Sequence, residues 1–170
     1  LTPTESFTQD TFLQNATNKK ALIIVAHDDD AAMFSGTTSM LADNGWDVSL
    51  LCFYTDQYRP EDVPIRKQEI KKVSEIQHFK DMNFVDFTMR RSLNEVEKPW
   101  VPIPYDDFSD SFYCDSLGKF VKDAILTYQP SVIFTLDNVI GGYGHPEHVL
   151  VGKTVVDICN TWKDSASFPT

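Results

Sequence analysis

Two short loops carry the residues whose types and spacing could do chemistry. His27 and Asp30 are three residues apart in the first loop, and His145 and His148 have the same spacing in the second. Residues so spaced across a turn can face one point, and imidazole and carboxylate groups are usual ligands for zinc and similar ions. A catalytic zinc site takes three protein ligands and keeps one position for water, so two ligands from the first loop and one from the second would complete it. A carboxylate and a histidine would remain for acid–base work.

The elements before these loops predict that the loops meet. Residues 21–26 form a short, continuously apolar run rich in β-branched residues, which is typical of a strand buried on both faces of a parallel sheet. A second strand is predicted at 131–136, followed by a glycine-rich loop at 137–145. Ligands of parallel sheets bind at the carboxyl ends of the strands, so we expect both polar loops at the same end of the sheet.

The rest of the chain alternates between strand and helix patterns, which predicts an α/β fold with a mostly parallel sheet and helices on both faces. Residues 1–19 are polar and predict an N-terminal arm with at most a short helix, so the domain occupies 20–170. Residues 88–112 are predicted as a loop. Further strands are predicted at 47–54 and 83–87, and helices at 31–44, 64–79, 116–128 and 146–163.

Composition excludes several classes of partner. The net charge of -10 argues against a broad electrostatic grip on nucleic acid or anionic membranes, so a small or neutral substrate fits better. No apolar stretch is long enough to cross a bilayer.

The three scattered cysteines are no disulfide framework and include no C-x-x-C pair. The polar arm slightly favours an exported mature chain, and the oligomeric state is not fixed by the sequence.

The two loops resemble the motifs of a known family. His27-Asp28-Asp29-Asp30, after an apolar strand, is similar to the A-H-P-D-D loop of the LmbE-like, or PIG-L, deacetylases. Gly144-His145-Pro146-Glu147-His148 is similar to their G-H-P-D-H loop, and the resemblance spans roughly residues 20–160. It implies a Rossmann-like three-layer sandwich that removes the acetyl group from N-acetylglucosamine units with the help of a bound metal.

The resemblance also implies roles for individual residues. His27, Asp30 and His148 would be the metal ligands, and Asp29 would be the general base. One divalent ion is expected, with zinc favoured over iron, nickel or manganese. Glu147, which replaces the family's aspartate, could accept a hydrogen bond from the second nitrogen of a ligand histidine as an outer-shell partner.

Three further residues are implied at the substrate. His145 would stabilise the oxyanion as a positively charged imidazole, and Tyr143 would help to polarise the substrate carbonyl. Arg66 and Glu69 resemble an R-x-x-E pair whose arginine reaches the substrate in some family members. From spacing alone, Arg66 is more simply a surface residue paired with Glu69 on one face of a helix.

The sequence departs from the family pattern at three places. Asp28 stands where the family has proline, and Ala31 stands where many members have glutamate. The chain also ends soon after the second motif, so we expect that a C-terminal part of the family domain, which often walls the site, is missing.

These departures leave three functions open. The first is a metal-dependent N-deacetylase acting on an N-acetylglucosamine-type sugar or its conjugate. The second is a non-catalytic metal- or sugar-binding domain, and the third is a magnesium-dependent phosphohydrolase, which the histidines disfavour. Five aromatic residues in the 88–112 loop or directly after it could either stack on a sugar or form a hydrophobic clamp over the sheet, and the two are weighed equally: Trp100, Tyr105, Phe108, Phe112 and Tyr113.

Overall fold

The computed structural model describes residues 10–54, 59–92, 107–165 and 168. Four parallel strands form one sheet in the order β3-β2-β1-β4. The strands are β1 (Lys20–Ile24), β2 (Asp47–Phe53), β3 (Asp81–Val85) and β4 (Val132–Thr135). The helices are α1 (Thr11–Asn15), α2 (Ser35–Asp43), α3 (Val63–Ile76), α4 (Phe108–Ser111), α5 (Cys114–Tyr128) and α6 (Pro146–Trp162).

Helices cover both faces of the sheet. Alternate residues of β1 point to opposite faces, so Leu22 and Ile24 belong to one apolar cluster while Ala21 and Ile23 belong to the other. The first cluster contains the buried faces of α5 and α6, and the second contains buried residues of α2 and α3. The predicted α/β three-layer architecture with a parallel sheet is therefore confirmed.

The register of the sheet brings the two polar loops together. The last residue of β1, Ile24, pairs with Thr135, the last residue of β4, and the Thr135 hydroxyl donates to the Ile24 carbonyl oxygen over 2.9 Å. Both strands are parallel, so they end at the same edge of the sheet. The chain leaves β1 toward His27 and leaves β4 toward the loop that leads into α6. The sheet thus positions both loops side by side.

The segment after β1 differs from the predicted continuous helix over 31–44. Residues Asp29–Phe34 form a 3-10 helix, and α2 begins only at Ser35. In the tight first turn, the Asp30 carboxylate accepts a 2.8 Å hydrogen bond from the His27 backbone N–H. This local bond competes with regular α-helix and turns the Asp30 side chain back toward the end of β1.

The predicted 88–112 loop contains more structure than expected. Helix α4 lies within it, and Arg90 forms an isolated antiparallel bridge with Phe112. Phe108 and Phe112 are buried against each other in the core, which favours the clamp over sugar stacking for these two rings. Trp100 and Tyr105 lie outside the described residues. Within the described part of the chain, no helix has the length and apolar character needed to cross a bilayer.

Candidate metal centre

His27, Asp30 and His148 converge at the carboxyl end of β1. Nδ1 of His27 is 3.3 Å from Oδ2 of Asp30 and 3.2 Å from Nε2 of His148, and Nε2 of His148 is 3.1 Å from Oδ1 of Asp30. Tetrahedral zinc with bonds of about 2.0–2.1 Å separates its ligand atoms by about 3.3 Å. Two imidazole nitrogens and the Asp30 carboxylate, which faces one histidine with each of its oxygens, form a donor set that fits zinc or a similar ion.

The position of His148 is set by the start of α6. Pro146 occupies the first turn of the helix, where its missing N–H costs nothing, and His148 follows two residues later. The His148 side chain is fully buried, and its Nδ1–H donates to the Gly141 carbonyl oxygen over 2.9 Å. This bond places a proton on Nδ1 and orients the ring, so that Nε2 is the atom facing Asp30 and His27.

The carboxylates around His27 favour a proton on its ring, at the place where a metal ion would bind. Burial lowers the pKa of His27, but its contacts with Asp30 and Glu147 outweigh burial and raise that pKa to about 10. Burial raises the pKa of the Asp30 carboxyl, and the two histidines reverse this and bring it well below its usual range. A positively charged group between two carboxylates is therefore favoured here. A divalent ion would satisfy the same carboxylates while displacing the His27 proton.

Glu147 lies behind His27, on the side away from Asp30. Its Oε2 accepts a 2.6 Å hydrogen bond from Nε2 of His27, and its Oε1 accepts a 3.1 Å bond from Nε of Arg90. Burial raises the pKa of Glu147, but the charges of His27 and Arg90 lower it to about 2, so the group is ionised. Glu147 therefore accepts a hydrogen bond from the second ring nitrogen of His27, which is the contact that the sequence suggested. His27, His145 and Glu147 also form a second set within metal-ligand reach.

His145 packs against His27 and His148 instead of facing open solvent. Its ring stacks on His148 with centroids 4.7 Å apart and meets the edge of His27 at 4.8 Å. Its Nδ1 accepts a 3.3 Å bond from the Glu147 backbone N–H. Burial, with the positive charge of His27, lowers the pKa of His145 to about 4. The expected positively charged imidazole is therefore not what this environment supports, because burial beside another cation favours the neutral ring.

Asp29 and Tyr143 lie on the open side of the cluster. Asp29 is exposed, and Tyr143 is 61% exposed with its ring edge-on to His148 at 5.0 Å. Partial burial, and then the negative charges of Asp30 and Asp29, raise the pKa of the Tyr143 phenol. The phenol therefore keeps its proton at neutral pH.

Arg66 does not extend freely into this open side. Its Nη2 donates a 2.7 Å hydrogen bond to Oδ1 of Asp28, whereas Glu69 is 4.0 Å away. Asp28 is only 5% exposed, and burial raises the pKa of its carboxyl despite the Arg66 charge. The simpler sequence interpretation, a surface pair with Glu69, is thus secondary to a pair with Asp28. Asp28 is the residue that stands in place of the family's proline.

A comparison with protein-family models identifies the family of this chain. A family model described as PIG-L, GlcNAc-PI de-N-acetylase, matches residues 22–159. The chain belongs to the PIG-L family. Among curated protein sequences, none matches the chain significantly.

Several solved structures share the PIG-L fold of this chain. The N,N'-diacetylchitobiose deacetylase of Pyrococcus horikoshii is 19% identical with a TM-score of 0.61, covering 98% of this chain and 63% of its own. A pseudoaglycone deacetylase is 14% identical with a TM-score of 0.55, covering 85% and 60%. GalB, the 4-carboxy-2-hydroxymuconate hydratase of Pseudomonas putida, is 16% identical with a TM-score of 0.55, covering 89% and 62%. The chain spans less than two thirds of each of these structures.

A hydratase among these neighbours means that the fold alone does not determine the reaction. The reaction must therefore be inferred from the residues of the candidate metal centre. Two of them, Arg90 and Asp28, were not assigned a role from the sequence of this PIG-L member. Both belong to ion pairs with partners distant in the chain, and the only sequence signal for Arg90 is an arginine pair shortly after the third strand.

Proposed function

We propose that this protein is a metal-dependent N-deacetylase that hydrolyses the acetamide of an N-acetylglucosamine-type sugar or its conjugate. The observation that carries the proposal is the convergence of His27, Asp30 and His148 beside two exposed groups suited to proton transfer, Asp29 and Tyr143. Family membership and the deacetylases among the structural neighbours support the same reaction class. The donor set favours zinc, with iron, nickel or manganese as alternatives.

The three ligand residues would hold the ion, and the ion would supply Lewis acidity, which polarises a carbonyl and makes water more acidic. Asp29 accepts a proton from the water that attacks the acetyl carbon. Tyr143 donates a hydrogen bond to the carbonyl oxygen as negative charge develops there. The carbon–nitrogen bond then breaks, and Asp29 returns its proton to the departing amine. The products are acetate and the free amino sugar.

His145 has a different place in this scheme from the one its motif implies. Because the ring is buried against His27 and His148 and its Nδ1 accepts from the Glu147 N–H, we assign it to packing the two histidines and capping α6. The burial of His145 against His27 and His148 also favours the second candidate, a metal- or sugar-binding domain without turnover. Such a domain would lack a charged oxyanion donor yet keep the ligand set.

The test measures acetate and free amine released from N-acetylglucosamine conjugates by the zinc-loaded protein. We expect release to stop after chelation and to return with zinc. Asp29→Asn should lower the rate by about 10²–10⁴-fold while zinc content is unchanged, since general-base catalysis is worth about that much. Asp43→Asn, an exposed aspartate at the end of α2, is the matched control. Activity that survives both chelation and Asp29→Asn would refute the mechanism. Tight sugar binding without any acetate release would favour the second candidate.

A further inference from the structure

Arg90 is a buried charge with no place in the proposed chemistry. Its side chain is 4% exposed, and it lies in the segment between β3 and α4. The backbone there bridges to Phe112, and the guanidinium lies 5.6 Å from the centre of the Phe112 ring. Burial of a charge is costly unless the charge is paired. A residue so enclosed cannot contact a substrate, so its effect must pass through its partners.

One partner of Arg90, Glu147, connects it to the proposed metal ligand His27. Nε of Arg90 donates to Oε1 of Glu147 over 3.1 Å, and the other oxygen of Glu147 accepts from Nε2 of His27 over 2.6 Å. The three residues come from the segment after β3, the first turn of α6 and the end of β1. A continuous line of charged hydrogen bonds therefore connects a buried arginine to His27.

The hydrogen bonds from Arg90 to Glu147 and from His27 to Glu147 determine which nitrogen of His27 faces the metal centre. With Nε2 engaged by Glu147, Nδ1 is the atom that lies 3.3 Å from Asp30 and 3.2 Å from His148. Carboxylates behind metal-bound histidines fix the ring orientation and the tautomer. Arg90 restrains the carboxylate itself, because Glu147 without it could turn and compete as a ligand in the alternative set with His27 and His145.

We propose that Arg90 is a positioning residue that acts through Glu147 to aim Nδ1 of His27 at the metal centre. This inference rests on the proposed metal site and adds the residue that sets its geometry. A carboxylate can accept from both neighbours at once, one oxygen for each. An amide at position 147 has a single acceptor oxygen, so it satisfies either Arg90 or His27 but not both.

The experiment measures the zinc dissociation constant of the full chain by competition with a chromophoric chelator. Arg90→Met and Glu147→Gln should each weaken zinc binding by about 10–100-fold, the usual cost of losing an outer-shell partner. In the double variant, binding should stay within about twofold of Glu147→Gln alone, because the connection is already broken. Arg59→Met is the matched control, since Arg59 is 73% exposed in a surface pair with Asp62.

A spectroscopic readout separates positioning from general support of the fold. In the zinc-loaded wild type, ¹⁵N spectra of the His27 ring should show Nδ1 bound to zinc and Nε2 protonated, with that assignment lost or mixed in Arg90→Met. Should Arg90→Met fail to fold, Arg90→Lys makes the same comparison, because it keeps the charge but not the planar donor. Zinc affinity and ring spectra unchanged from wild type, or effects that add in the double variant, would overturn the inference alone. Failure of the wild type to bind zinc would overturn the proposed function as well.

Discussion

The buried carboxylate of Asp28 accepts a 2.7 Å hydrogen bond from Nη2 of Arg66, joining the loop after β1 to helix α3. The PIG-L motif has proline where this chain has Asp28. The φ of Asp28 is -69°, a value that proline adopts without strain. The aspartate therefore keeps the backbone of the motif and adds an ion pair that proline cannot make. In this chain the Arg66 charge is partly neutralised by the protein itself.

We expect Asp28→Ala to lower the free energy of unfolding by about 1 kcal/mol. The variant loses a charged hydrogen bond, but Arg66 is 34% exposed and can turn to water, which limits the cost. Asp28→Pro loses the same bond, yet it should be more stable than Asp28→Ala by about 0.4–1 kcal/mol because proline restricts the unfolded chain. Urea unfolding of the metal-free proteins measures both. If Asp28→Pro were the less stable of the two, the loop would not have the backbone described.

The loop between β4 and α6 depends on one carboxylate. Oδ1 of Asp137 accepts hydrogen bonds from the backbone N–H groups of Val139, Ile140 and Gly141, at 3.0, 2.6 and 3.2 Å. These bonds, led by that of Ile140, lower the pKa of Asp137 below its ordinary value of 3.8. Ionised Asp137 therefore stabilises the folded state above pH 3.8, and this contribution disappears as pH falls through the lowered pKa.

Asp137→Asn should accordingly melt at a lower temperature than the wild type at pH 7. This difference in melting temperature should narrow as pH falls from 3.8 toward the lowered pKa, because the unfolded wild type takes up a proton first and the folded carboxyl, which then resembles the amide, takes one up at lower pH. Thermal unfolding of the two metal-free proteins across pH 3–7 measures the difference, in which the titration of all other groups largely cancels. A gap that stays constant across this range would show that the Asp137 charge does not hold the loop.

Much of the architecture could be predicted because it depends on local patterns. The apolar run before His27 and the Pro146 helix start each identify an element from adjacent residues, and parallel strands place their loops at one edge. The two ion pairs could not be predicted. Arg66 is 38 residues from Asp28, and Arg90 is 57 from Glu147. Such pairs depend on the strand order β3-β2-β1-β4, which no local pattern determines.

Helix α6 approaches the end of β4 closely at Gly152, one turn after His148. A methyl group there would collide with the Leu136 carbonyl oxygen and lie 3.1 Å from the Asp137 carbonyl. We expect Gly152→Ala to destabilise the protein by about 1–3 kcal/mol, as overpacking does. Gly118 lies within α5, and a methyl group added there would meet nothing within 4 Å. Gly118→Ala should therefore raise the free energy of unfolding by about 0.5–1 kcal/mol. Denaturant unfolding of both variants checks the opposite signs, and equal signs would contradict the close approach.

Substitution of Gly141 should perturb the candidate metal centre, and substitution of the neighbouring Gly142 is a closely matched control. Both have positive φ, 58° and 84°, so alanine strains the backbone at either position. Only at Gly141 would the methyl group meet His148, whose Cβ would be 2.6 Å away, and the carbonyl of Gly141 is the acceptor for Nδ1 of His148. Gly141→Ala should therefore weaken zinc binding by about 10-fold or more, the cost of displacing a ligand and its outer-shell partner. Gly142→Ala should lose stability but bind zinc as the wild type does. Equal zinc affinities for the two variants, measured by chelator competition, would mean that the close approach of Gly141 to His148 does not determine the position of that side chain.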